Sequence, residues 1–78
     1  MTRYFFDLRD GDEVSPDDEG TELDGLEAAR AEMIAAFPAI AAQRIRDNRD
    51  RAEFEMTVRD DSGREVMRAN LSFTLAQV

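Results

Sequence analysis

Apolar residues recur with two different periods along this chain, and the switches between them predict its elements. From Arg3 to Leu8 the period is two: Tyr4, Phe6 and Leu8 share one face, and Arg3, Phe5 and Asp7 the other. This predicts a strand, with Phe5 an apolar exception on its polar face. From Leu26 to about Asp47 the period lengthens to three and four. Leu26, Ala29, Met33, Phe37, Ile40 or Ala41, and Ile45 then form one stripe of an alanine-rich helix. From Glu53 to Arg59 the period returns to two, with Phe54, Met56 and Val58 inward and Glu53, Glu55, Thr57 and Arg59 outward.

A partner strand follows over Arg64 to Leu71. Its alternation is weaker: Val66 reads as inward, Met67 and Ala69 as facing the other way, and a bulge would accommodate the irregularity. Leu71, Phe73 and Leu75 alternate again, so the strand either continues or restarts after Asn70. Ala76 to Val78 are expected to fray.

The joins carry turn chemistry. Asp10-Gly11, Ser15 to Gly20, and Asp60 to Gly63 combine glycine with side chains that bond their own backbone. Val14 is the only apolar residue from Arg9 to Gly20, Thr21 to Leu23 reads as a short extended segment, and the stretch is either a loop or a short irregular hairpin beside the first strand. Asp24 stands where a helix cap is expected, with Glu27 in the capping-box position and Leu23 placed as a staple. Pro38 removes a helical hydrogen bond. It predicts one kinked helix, or a first helix ending near Ala36 and a second starting at Pro38, packed as one layer in either case. The sum is a single α+β domain over residues 1–78: a small antiparallel sheet with one kinked or broken helix on one face, in the order β-(β)-α-β-β.

Charge narrows the function. Ten basic and eighteen acidic side chains give a net charge of -8, which repels nucleic acid and anionic membrane. It favours solubility, or a basic partner. The chain lacks cysteine, histidine and lysine, which removes disulfides, thiolate and imidazole chemistry and Schiff bases. No apolar run approaches the ~20 residues of a membrane span. Asp7 interrupts the run a signal peptide would need, and a cytoplasmic location is expected by default.

Several residue groups suggest chemistry, and each has a plainer reading. Asp10, Asp12, Glu13, Asp17, Asp18 and Glu19 are hard oxygen donors, but their spacing does not reproduce a twelve-residue calcium loop. They read as a solvated turn. Glu53 and Glu55 are paired carboxylates on one strand face without a histidine to work with, and Ser15, Ser62 and Ser72 have no base. Gly11, Gly20, Gly25 and Gly63 are scattered, so no phosphate loop forms. Arg44, Arg46, Arg49 and Arg51 make a basic series broken by Asp47 and Asp50. No enzymatic activity, catalytic residue, cofactor or metal ligand is expected.

The remaining candidates are apolar. Phe5, Leu71, Phe73 and Leu75 either complete the core of the monomer or form an interaction surface, for which a free sheet edge would offer strand addition. The expected function is non-catalytic protein–protein interaction, with a homodimer or an unidentified protein as partner. The alternative is a small regulatory or nucleic-acid-associated protein.

The succession Arg3-Tyr4-Phe5-Phe6-Asp7-Leu8, Asp17-Asp18-Glu19-Gly20-Thr21-Glu22-Leu23 and Leu26 to Glu32, with Val58 to Val66 as strand, turn and strand, resembles a family of small bacterial proteins of unknown function. That family is common in rhizobia and related alphaproteobacteria. The resemblance spans nearly the whole chain and implies a bacterial origin. It implies no activity, substrate or site residue. Pro38 and the extra acidity depart from the family's alanine-rich helix.

Overall fold

The segments with period two become long strands, and the segment with the longer period becomes one long helix. A computed structural model describes residues 1–46 and 49–78. The order is β1 (Thr2–Asp10), β2 (Glu13–Ser15), β3 (Thr21–Leu23), α1 (Gly25–Ile45), β4 (Arg51–Arg59) and β5 (Glu65–Thr74). The sheet runs β2-β1-β4-β5, every pair antiparallel, with β3 also paired to β1. The helix lies across one face. The fold is the expected α+β arrangement.

The helix-facing side of the sheet follows from alternation. Tyr4 and Leu8 of β1 and Ala52, Phe54, Met56 and Val58 of β4 are buried against Ala29, Met33, Phe37 and Ala41 of α1. Those four helix positions are four apart, so a single narrow row makes the contact. Complete burial of a side chain such as Val58 or Met56 stabilises the fold by roughly 1.5–3 kcal/mol. Leu26, expected in the stripe, is 54% exposed instead. It stands at the helix entry, one turn before the buried row begins.

Of the two alternatives at Pro38, the single helix is found: α1 is continuous from Gly25 to Ile45. Two local expectations are corrected. Asp24 makes no side-chain cap. Gly25, at φ +85°, reverses the chain between Asp24 and the first turn, so the carboxylate does not reach the open N–H groups. Met67 and Ala69 face the helix, in one row with Leu71 and Phe73. The bulge is real, but it falls earlier: Val58 pairs with Met67 and Arg59 with Glu65, leaving Val66 as the extra residue. From there β5 runs without a break past Asn70. Among the described residues no helix is long and apolar enough to cross a membrane.

Candidate functional site

The two edges of the sheet differ, and the polar residues account for one of them. On the β1 side the neighbouring strand is interrupted. β2 pairs with Leu8–Asp10 and β3 with Thr2–Tyr4, and Pro16 to Gly20 bridge the two past Phe6. Asp17 fills the gap. One carboxylate oxygen accepts the Phe6 N–H at 3.0 Å, and the other accepts the N–H groups of Glu19 and Gly20 at 3.2 and 3.0 Å. Its own N–H donates to Asp7 at 2.9 Å. Arg59 grips Asp7 with Nε at 2.6 Å and one Nη at 3.2 Å, and its guanidinium covers the Phe5 ring at 4.9 Å.

The electrostatics follow the contacts. The Arg59 guanidinium holds the Asp7 carboxyl below its ordinary range, against the opposing effect of burial. Burial pushes Asp17 up, but the backbone donors of Phe6, Gly20 and Glu19 outweigh it and the net shift is downward. A Cβ at Gly20 would come within 2.9 Å of the Tyr4 carbonyl and 2.8 Å of the Phe5 ring, and Gly20 has φ +72°. The backbone therefore approaches β1 as closely as glycine permits.

At the other end of β1, Asp10 receives Arg49 through two nitrogens at 2.6 and 2.9 Å and Arg44 at 3.2 Å. Arg49, with Arg44 beside it, lowers the Asp10 pKa. This joins the helix exit to the first hairpin. Arg44 and Arg49 are thus turned toward an aspartate rather than outward; Asp47, which breaks the same series, lies outside the described residues. Asp60 organises the last turn by accepting from the Ser62 hydroxyl and the N–H groups of Ser62 and Arg64.

The acidic residues of the first hairpin therefore do not converge. Asp10 and Asp17 meet different protein donors, and among the described residues no three metal-binding side chains cluster. Glu53 and Glu55 line a shallow open depression of about 410 Å³ with Arg9, Asn70 and Ser72 on the face away from the helix. It holds carboxylates and a guanidinium in open water.

The β5 edge is different. Leu75 donates its N–H to the Asp50 carbonyl at 2.7 Å, continuing the ladder past Thr74. Antiparallel alternation then turns the N–H and C=O of Arg68, Asn70, Ser72 and Thr74 away from β4, toward a side where no strand among the described residues pairs. Met67, Ala69, Leu71 and Phe73 are only partly buried. Between β5 and α1 runs an apolar groove of about 140 Å³, lined by Met33, Ile34, Phe37, Pro38, Ala69 and Leu71, with the Asn70 backbone strand at its rim. Ile34 is 53% exposed there and Leu75 59%.

The four apolar candidates therefore separate. Phe5 lies on the face away from the helix, between the Arg59 guanidinium and Gly20. Leu71, Phe73 and Leu75 belong to the β5 edge, two strands away and on the helix side. Ala69, Ile34 and Pro38 complete that surface and were not singled out by periodicity. The available signal was charge: no charged side chain occurs from Met33 to Gln43 or from Ala69 to Val78. These two runs flank the one groove.

No curated protein and no solved structure matches this chain. Residues 3–72 match a family model described as a domain of unknown function. The match begins in β1 and ends within β5, so it covers the sheet, both hairpins and the helix. The chain belongs to this family, DUF6894.

Proposed function

We propose that this domain is a non-catalytic protein–protein interaction module that docks through β5 and the adjoining flank of α1. The segregation of charge carries this reading. A chain that is 36% charged keeps two stretches free of charge, and the fold lays them side by side along an unpaired sheet edge. Isolated apolar residues on a surface need no explanation, but a contiguous patch beside free backbone groups suits strand addition. Arg44 and Arg49, half of the basic series, are committed to Asp10. That leaves less support for a nucleic-acid-associated regulator.

The test is affinity capture with tagged protein, scoring copies of the chain itself as well as other proteins. Ser72→Lys places a charge on the free edge, and Ile34→Glu places one beside the groove. Both should abolish capture, while Thr57→Lys on the interior strand β4, away from the free edge, should leave it intact. Capture that survives both edge variants would sink the proposal, as would no association of any kind.

A further inference from the structure

We infer that the partner is a second copy of this chain, joined by antiparallel pairing of β5 with β5 about a two-fold axis at Ser72. The inference rests on reading β5 as the docking surface and adds the identity and register of what occupies it.

The sequence around Ser72 is self-complementary. Ala69-Asn70-Leu71-Ser72-Phe73-Thr74-Leu75 alternates apolar and polar residues symmetrically in both directions. With Ser72 opposite Ser72, Asn70 meets Thr74, Leu71 meets Phe73 and Ala69 meets Leu75 of the second copy. The residues with outward N–H and C=O groups, Asn70, Ser72 and Thr74, then face one another and complete a ladder. A two-fold axis requires such an isologous contact.

The same register fills the groove. Ala69 is the small residue in the helix-facing row, and its side of β5 forms part of the apolar groove of about 140 Å³. The opposing residue is Leu75, the large exposed side chain of the second copy. Leu75 falls on the helix-facing side by strand alternation, so it enters the groove beside Ile34 and Met33. Leu71 against Phe73 continues the apolar row across the axis. The groove is open along the β5 edge and lined by apolar side chains, so a leucine side chain can lie against it.

Charge limits where two copies can meet. Each chain carries -8, so two copies repel over most of their surfaces, and the uncharged strip is where they can meet. A basic partner would be drawn to the acidic remainder instead. On the strand next to β5, the two Glu53 side chains, each beside Ser72 in its own sheet, face each other across the axis. They lie three strand spacings apart, roughly 14 Å, beyond the ~8 Å screening length at physiological salt.

The chain has no cysteine, so Ser72→Cys introduces a lone thiol at the axis. Directly opposed strand residues have Cα atoms about 5.5 Å apart, within disulfide range. Under mild oxidation this variant should convert to a covalent dimer, while Ser62→Cys at the distant turn should not. Wild-type protein should sediment as a dimer, and Ser72→Lys should raise the dissociation constant by at least about tenfold, equivalent to about 1.4 kcal/mol. A wild-type chain that stays monomeric at millimolar concentration overturns the inference. So does a dimer that Ser72→Cys fails to cross-link. If the chain is monomeric but captures another protein through β5, the second-copy inference fails and the module reading stands. If it is monomeric and captures nothing, both fail.

Discussion

The β2–β3 edge and the β5 edge meet the same hazard, a row of unpaired backbone groups, and meet it in opposite ways. At β2–β3 the strands are three residues each, interrupted, and edged by Asp12, Glu13 and Glu22. The interruption is itself closed: Asp17 satisfies the Phe6 N–H that the missing strand would have paired. Short strands, a bulge and charge are the devices that prevent edge-to-edge association. At β5 none of these operates beyond Arg68. The strand runs ten residues, its second half is uncharged, and an apolar groove adjoins it. One edge is built to stay alone, and the second half of the other lacks the devices that would keep it so.

The sharpest way to break the contrast is Gly20→Ala. The new Cβ meets the Tyr4 carbonyl in a left-handed backbone conformation, so the β3 pairing must shift. The expected loss is about 2–4 kcal/mol, read from denaturant unfolding. Asp17→Ala should follow at about 2 kcal/mol, because three backbone N–H groups lose their acceptor. A loss below about 0.5 kcal/mol would mean water replaces the carboxylate and the gap is not held by Asp17.

Acid should act on the same edge. Asp7 and Asp17 have folded pKa values below their ordinary range. Their contribution is present above the unfolded value, about pH 4, and is lost as pH falls through the lowered folded values. Amides of Phe6 and Gly20 should therefore lose exchange protection on acidification before the β4–β5 ladder does. Loss of both together would show that the network does not stabilise its edge separately.

Salt should separate the edges next. If β5 pairs with β5 between two chains of -8, added salt screens repulsion and strengthens association, a modest effect of severalfold between low and physiological salt. Weakening by salt would point to ion pairs across the interface. The smallest effect belongs to Ser15→Lys. On an edge already charged and exposed, it should change stability by less than about 0.5 kcal/mol and leave association unaltered.

The layout of the fold was legible because alternation over Arg3–Leu8 and Glu53–Arg59 and the row from Ala29 to Ala41 are local patterns. What escaped depends on particular backbone angles or on distant contacts. Asp24 has the residue type of a cap, but the positive φ of Gly25 decides where its carboxylate goes. Met67 and Ala69 were assigned to the wrong face because the bulge at Val66 shifts parity by one residue. Phe5 read as an orphan until Arg59, 54 positions later, closed over it. The candidate surface was half legible. Leu71, Phe73 and Leu75 stand out along the chain, whereas the meeting of the uncharged stretch of α1 with that of β5 appears only in three dimensions.

Amide hydrogen exchange followed as a function of protein concentration tests the central claim most directly. Asn70, Ser72 and Thr74 point their N–H groups away from β4, while Leu71 and Phe73 donate within the sheet. Pairing through β5 predicts that protection at Asn70, Ser72 and Thr74 rises with concentration, with no matching change along the β2–β3 edge. Fast exchange of those three amides at every concentration would contradict it.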